Sequence, residues 1–231
     1  MPDCPKCGAL IGEGSDFCSK CGTSLREEHL VATPDPGSGS SPNMEVMLKH
    51  HKPGLAEMLF FFISGMIMSG PFTILAENLS VSLVSAMPQL YAVLFSVAVI
   101  GPLIEEFAKS YPLLYRHGET QRSIFTLAFL TGLGFGILEF LLYVFVYSAP
   151  LIVRLPGVLF HATSTSISAY GIAVKRYTHY FLIAVFLHFF ANFSALFYLS
   201  WIGAAGYAIA MIVSYYLSSR LYGQTGENIV D

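Results

Sequence analysis

The sequence contains six apolar segments that are each long enough to cross the hydrocarbon core of a bilayer as a helix. The fourth segment is the least apolar of them, because it contains Arg154, Pro156 and His161. This pattern predicts an all-α polytopic membrane protein with about six transmembrane helices. We place the segments at about residues 55–76, 87–104, 123–147, 152–174, 178–199 and 202–221.

Charged residues are scarce and unevenly placed along the chain. They make up 12% of the residues, and residues 1–53 hold 12 of the 27. A soluble domain carries about a quarter of charged residues, so the composition excludes an ordinary globular enzyme and a disordered chain. The net charge of −3 also argues against a nucleic-acid partner. We therefore expect a polar N-terminal module followed by a membrane domain.

Two CxxC pairs dominate the N-terminal module and are separated by ten residues. Each pair can present two thiolates to one tetrahedral ion, and about 25 residues are too few to bury a useful core without a metal. We interpret residues 1–26 as a closed structural zinc site; two disulfides are the alternative, and they would need an oxidising compartment. The stretch resembles the short prokaryotic zinc-ribbon module, which serves as a folding staple or as a docking platform for a cytoplasmic protein. The four ligands would be Cys4, Cys7, Cys18 and Cys21.

A linker and juxtamembrane segment is expected over residues 27–54, because residues 33–43 are rich in Pro, Gly and Ser. Residues 55–221 would form the membrane domain and residues 222–231 a C-terminal tail. Basic residues alternate between the connectors, and the positive-inside rule then places both termini of a multi-pass cell-membrane protein in the cytoplasm. The basic side carries Lys49, Lys52, Arg116, Arg122, Lys175, Arg176 and Arg220.

Ionisable side chains inside the apolar segments are candidates for a functional site, because charges at membrane depth are costly. In the second segment, Glu105 and Lys109 are four residues apart and should share a helix face, whereas Glu106 points about 100° away. Three glycines precede the acid of the third segment and allow close helix approach. The full set is Glu105, Glu106, Lys109, Glu139, His161, His188 and Asn192.

The candidates on different segments lie at comparable depth. At about 1.5 Å per helical residue, Glu105 lies roughly 16 Å and His188 roughly 15 Å from the cytoplasmic ends of their segments. His161 lies roughly 20 Å and Glu139 roughly 24 Å deep on the same basis. A shared layer favours one buried polar site. Taken one at a time, Glu105 and Lys109 could instead form an internal ion pair, and His161 could simply bond neighbouring helices.

The motifs and their order resemble the PrsW family of intramembrane proteases and, more distantly, the CAAX prenyl-protease and bacteriocin-immunity clan. The resemblance covers about residues 55–221. The chain departs from the wider clan at Lys109, which stands four residues after Glu105 in place of an Arg, and at Glu139, where that clan has His. It departs from the PrsW pattern at Phe140, where PrsW proteins often have Asn. The motifs are Glu105-Glu106-x-x-Lys109, the glycine-rich run to Glu139 with Tyr143, Arg154 with His161 and Gly171, and His188-x-x-x-Asn192.

The resemblance implies a role for each of these residues. Glu105 would activate water, Glu106 would assist it or orient the site, and Lys109 would balance charge. Glu139 and His161 would act as a second acid or as metal ligands. His188 and Asn192 would bind metal or polarise the scissile carbonyl. A catalytic divalent metal, zinc first of all, would be held by Glu105, His161 and His188, although the clan also admits water activated by glutamate alone.

The leading interpretation is an intramembrane peptidase that cleaves a membrane-protein substrate within the lipid bilayer. One alternative is a non-catalytic membrane adaptor on a degenerate protease fold, with the zinc ribbon as its protein-binding module. Another is an ion-coupled transporter, but the sequence has neither repeated halves nor matching broken helices. Retention of both adjacent glutamates and both histidines favours the enzyme.

Overall fold

A computed structural model describes Leu10, residues 52–114, residues 120–228 and Val230. The chain divides into two compact units, Met1–Met47 and Leu48–Asp231. The four ribbon cysteines and the linker at residues 33–43 lie outside the described residues, so the zinc site and the tether remain predictions. The second unit contains all seven predicted site residues of the membrane domain.

Six long helices make up the described part of the second unit, which confirms the predicted all-α membrane architecture. Five of them are long and apolar enough to cross a membrane. The exception is α4, which is 23 residues long but carries the polar residues that weakened its segment in the sequence. The helices are α1 Leu55–Val84, α2 Gln89–Leu113, α3 Gln121–Val146, α4 Leu151–Ala173, α5 Tyr177–Leu196 and α6 Trp201–Tyr222.

The first two helices are longer than their predicted segments. Helix α1 continues to Val84, eight residues past the predicted end, and α2 continues to Leu113. The polar residues beyond position 76 do not end α1, because their side chains form hydrogen bonds within the helix. The hydroxyl groups of Ser80 and Ser82 donate to the carbonyl oxygens of Ala76 and Asn78, four residues earlier.

Helix α4 lies at the centre of the bundle. Nearly every residue from Phe160 to Ala173 is buried, including a run of hydroxyl side chains. Two of these hydroxyls pair with serines of α6 at 2.7 Å: Thr163 with Ser214, and Ser166 with Ser218. Since α4 meets protein rather than lipid along this stretch, its polar groups find partners, and a low apolar content is tolerated.

Glycines let α3 approach both α1 and α4 closely. A Cβ atom on Gly132 would collide with the backbone oxygen of His161, and one on Gly134 would collide with that of Phe62. Gly65 of α1 has the same relationship to the backbone of Thr131. These contacts, predicted from the glycine-rich run, fix the depth and rotation of the helix that carries Glu139.

Two helices contain a π turn, at Ser96–Ile100 in α2 and at Leu142–Val146 in α3. A π turn inserts one extra residue into the helical repeat and changes which side chains face a neighbour. The first π turn lies immediately before the acids of α2, and the second contains Tyr143. Both therefore influence which side chains these helices turn toward the bundle interior.

Candidate active site

Six of the seven predicted site residues form one connected group, which we call the acid–histidine cluster. Helix α2 contributes three of its members, α3 and α4 one each, and α5 one. All of them lie within helices of the bundle interior, and Glu106 and Lys109 are fully buried. The cluster consists of Glu105, Glu106, Lys109, Glu139, His161 and His188.

Glu106 is the hub of the acid–histidine cluster. Its Oε1 atom lies 2.6 Å from Lys109 Nζ, 2.8 Å from His188 Nδ1 and 2.9 Å from the hydroxyl of Ser164. These donors come from α2, α5 and α4, so a single carboxylate oxygen joins three helices. The other oxygen, Oε2, has no hydrogen-bond partner among the described residues. Glu106 is therefore held in place chiefly through Oε1.

The ion-pair partner of Lys109 is Glu106. The i, i+4 spacing places Lys109 on the same face as Glu105 and leaves a pair with Glu105 as an alternative, but the ammonium contacts Glu106, three residues earlier. Positions three and four apart are both neighbours on a helix, so spacing alone does not select between them. The choice follows from the surroundings, because Lys109 Nζ also lies 3.0 Å from His161 Nδ1 and 3.4 Å from Ser164 Oγ.

The contacts of the two histidines assign the proton of each neutral ring to opposite nitrogens. An ammonium has no acceptor, so Nδ1 of His161 accepts from Lys109, and the neutral ring keeps its proton on Nε2, where it meets Glu139 Oε2. In His188 the Nδ1 atom faces the carboxylate of Glu106 and therefore carries the proton. The Nε2 lone pair of His188 is then free, and it points toward Glu105.

Glu105 presents a buried carboxylate oxygen that needs a partner. Its Oε2 lies 3.6 Å from His188 Nε2, beyond hydrogen-bond distance, and has no hydrogen-bond partner among the described residues. Glu105 Oε2 and the lone pair on His188 Nε2 are both electron-pair donors, so a cation placed between them could bind to both. Glu105, His161 and His188 each bring one ligand atom within 4.8 Å of the others. One carboxylate and two imidazoles form a donor set that zinc accepts.

The two histidines differ in how readily each could bind a metal ion, because their ring nitrogens have different hydrogen-bond partners. Glu106 holds the Nδ1 side of His188, in the way that outer carboxylates orient ligating imidazoles. His161 uses both ring nitrogens, one toward Lys109 and the other toward Glu139. It could bind a metal only by giving up one of these contacts. The residues present fit a metal ion. His188 is the better oriented of the two imidazole ligands, because Glu106 holds its Nδ1 atom and its Nε2 atom is left to bind the ion.

Asn192 is the predicted site residue that lies apart from the acid–histidine cluster. Its side-chain nitrogen donates to the carbonyl oxygen of Val97 at 3.0 Å, within the π turn of α2. Asn192 nevertheless borders the same cavity as His188, one helical turn away. Its amide fastens α5 to the segment that precedes the acids.

A cavity of about 280 Å³ reaches from the acid–histidine cluster to the connector between α3 and α4. Glu139, His161 and His188 line it, and so do Ala149 and Pro150 of the connector. Glu139 is 19% exposed, whereas Glu106 is fully enclosed. Substrate and water entering this cavity would therefore meet Glu139 and the histidines before they meet Glu106.

Two contributors were not identified as site residues in the sequence. Ser164 donates a hydrogen bond to Glu106. The ring of Phe135 lies 5.1 Å from the ammonium of Lys109 and covers it with an aromatic face. Ser164 follows His161 by three residues, so helical spacing could have placed both on one face. No comparable signal links Phe135 to a lysine on another helix.

Comparison with known proteins agrees with this geometry. A family model described as PrsW family intramembrane metalloprotease matches residues 54–218. A zinc-ribbon domain model matches residues 4–25, which contain all four cysteines. No curated protein and no solved structure matches the chain. The family match spans every helix that contributes to the acid–histidine cluster.

Proposed function

The chain belongs to the PrsW family of intramembrane metalloproteases, and on that basis we propose that it hydrolyses a peptide bond in or next to a membrane-spanning segment of a protein substrate. Glu105 and His188 carry this proposal, because a buried acceptor oxygen and a free imidazole lone pair face each other across 3.6 Å. Such a pair is unfavourable unless a cation or a reactive water lies between its members. Neither a structural ion pair nor an adaptor surface requires it.

We propose that Glu105, His188 and His161 hold a divalent metal, zinc being the metal best suited to one carboxylate and two imidazoles. The bound metal would lower the pKa of a water molecule and polarise the scissile carbonyl. Glu105 activates the water, either as a ligand of this metal or directly as a base. His188 is held by Glu106 at Nδ1, so its Nε2 atom keeps one direction.

We assign Glu106 and Lys109 to positioning rather than to contact with substrate. Both side chains are fully buried, and Glu106 uses one oxygen to hold Lys109, Ser164 and His188. Lys109 offsets the charge of Glu106 and holds His161 at Nδ1. This differs from a pair of equivalent catalytic acids, because Glu105 and Glu106 face different partners.

Glu139 is the acid that we assign to proton transfer at the leaving amine. It lines the cavity and contacts the Nε2 proton of His161. If Glu105 is a metal ligand, Glu139 takes the proton released by the attacking water and returns it to the amine nitrogen as the peptide bond breaks. If Glu105 is itself the base, that proton passes from Glu105 to Glu139 and then to the amine nitrogen. Asn192 borders the same cavity and has one side-chain N–H left for the carbonyl oxygen of the substrate.

We also propose the arrangement of the chain in the membrane. With both termini in the cytoplasm, the connectors without lysine or arginine face outward, and the cavity reaches one of them at Ala149 and Pro150. Water would then enter from the non-cytoplasmic side. The zinc ribbon would hold one structural zinc ion through Cys4, Cys7, Cys18 and Cys21 and would dock a cytoplasmic protein. Residues 1–26, 27–54, 55–221 and 222–231 would form the ribbon, linker, protease domain and tail.

The decisive experiment compares wild type with Glu105→Gln in liposomes that contain a library of single-span reporter proteins. Gln keeps the shape of Glu105 and removes the base or ligand, so we expect cleavage to fall by orders of magnitude while the melting temperature stays near that of wild type. Glu227→Gln, in the C-terminal tail, is the matched control and should cleave normally. Cleavage by Glu105→Gln at the wild-type rate would overturn the role of Glu105, whereas a non-catalytic adaptor would leave the reporters uncleaved even by wild type.

A further inference from the structure

Arg154 is a cation at the wall of the cavity that makes no hydrogen bond with any described residue. Its guanidinium carbon lies 3.5 Å from the centre of the Tyr143 ring, which places the two groups face to face. The nearest carboxylate is that of Glu139, where Nη1 to Oε1 is 4.0 Å, longer than a hydrogen bond. The side chain is 38% exposed, twice the exposure of Glu139. The Arg154 guanidinium is thus held in position by Tyr143, but its N–H donors lack hydrogen-bond acceptors among the described residues.

Stacking determines which part of the guanidinium remains usable. Contact with an aromatic ring occupies the flat face of the group and leaves its N–H donors in the plane. Those donors form a fork that matches the two oxygens of a carboxylate. Arg154 lies in the first turn of α4, beside the connector that lines the cavity, and its in-plane donors have no hydrogen-bond partner among the described residues. Donors left open at a cavity wall indicate a ligand that arrives there.

We propose that Arg154 binds an acidic side chain of the substrate close to the scissile bond. This inference rests on the proposed protease function and adds a sequence preference to it. Extended peptide rises about 3.3 Å per residue. The 4.0 Å separation from Glu139 therefore places the acidic residue within about two positions of the bond that is cleaved. Tyr143 serves as the positioning residue that holds the guanidinium flat.

Charge compensation of Glu139 does not account for this arrangement. Glu139 already has a close partner in His161 Nε2, and a guanidinium that served only as its counterion would approach to hydrogen-bond distance. A lipid phosphate is also less suitable than a peptide carboxylate. Arg154 lies near the start of α4, within reach of a headgroup, but it lines the same cavity as Glu139, His161 and His188, where a bound peptide would lie.

The test uses the full-length protein in phosphatidylcholine liposomes with reporters that carry Asp, Asn or Lys at each of two positions on either side of the cleavage site. At one position we expect wild type to prefer Asp over Asn by about ten- to hundredfold in kcat/KM, and Asn over Lys. Arg154→Glu should invert the order. Arg154→Lys, the matched control, should keep the preference for Asp in weaker form, because it keeps the charge without the fork.

A second measurement does not depend on turnover. Binding of Asp and Asn versions of one reporter peptide is compared in Glu105→Gln and in Glu105→Gln with Arg154→Gln. The Asp version should bind more tightly only where Arg154 is present. Equal cleavage of the Asp, Asn and Lys reporters by active wild type overturns the acidic preference and leaves the protease assignment intact.

The remaining outcomes separate the two ideas. If wild type cleaves no reporter, the protease assignment fails, and equal binding of the Asp and Asn peptides then overturns the role of Arg154 as well. The liposomes are also prepared with added phosphatidylglycerol. An Arg154 effect that follows this anionic lipid and not the peptide charge would make Arg154 a headgroup site and overturn the proposal.

Discussion

The ammonium of Lys109 lies 2.6 Å from Glu106 Oε1, and both side chains are fully buried. The same ammonium reaches His161, while Glu106 reaches His188. One ion pair on a single helix therefore orients two histidines on two other helices. This connection makes the pair as important for the geometry of the site as for the stability of the bundle.

Replacement of Lys109 by Met should strongly destabilise the fold. It would leave the charge of Glu106 buried without its counterion, and removal of one partner of a buried pair costs about 3–5 kcal/mol. The double variant Lys109→Met with Glu106→Gln should regain much of the melting temperature in detergent and yet remain inactive, because His188 loses its carboxylate. A double variant as unstable as the single one would contradict this interpretation of the ion pair.

Sequence patterns predicted the helices, but not the contacts that arrange the acids and histidines. Apolar length identifies a membrane helix whatever its neighbours are, so α3, α5 and α6 lie close to their predicted segments. The rotation of a helix depends on packing. The choice of Glu106 over Glu105 by Lys109 therefore depends on His161 and Ser164, which lie more than 50 residues away in sequence. The π turns leave no composition signal, and Tyr143 was noted only as part of a motif.

Gly132→Ala should disturb both stability and activity. The added methyl group would meet the backbone oxygen of His161, with Thr165 Oγ1 at 2.6 Å and the Cα atom of Ala162 at 2.8 Å. Overpacking of this kind costs about 1–3 kcal/mol and would displace His161 from Glu139. Gly70→Ala is the matched control, because nothing lies within 4 Å of its added carbon. Thermal unfolding and reporter cleavage of the two variants should diverge; equal behaviour would refute the close approach.

Single cysteines should report the orientation of the chain in intact cells. We expect Ser82→Cys, near the end of α1, and Ser200→Cys, in the connector after α5, to react with a membrane-impermeant maleimide from outside, because neither stretch contains lysine or arginine. Gly118→Cys and Thr178→Cys should react only after permeabilisation. The unsubstituted chain measures the background from the four native cysteines. External labelling at position 118 would reverse the proposed topology.

Metal content should separate the two zinc sites and decide the mechanism. Wild type should hold two zinc ions per chain, one in the ribbon and one between Glu105, His161 and His188. Changing Cys7 and Cys18 to Ser should remove the first ion and leave reporter cleavage intact, because a closed tetrathiolate has no position for substrate water.

His188→Ala should remove the second ion and abolish cleavage, since His188 Nε2 is the imidazole nitrogen without a protein hydrogen bond at the site. Asn228→Ala, which changes a side chain outside the helices, is the control and should keep both ions and full activity. Elemental analysis of the purified variants gives the counts. Cleavage that persists after exhaustive chelation, with the second ion gone, would discard the metal and leave Glu105 as a base that activates water directly.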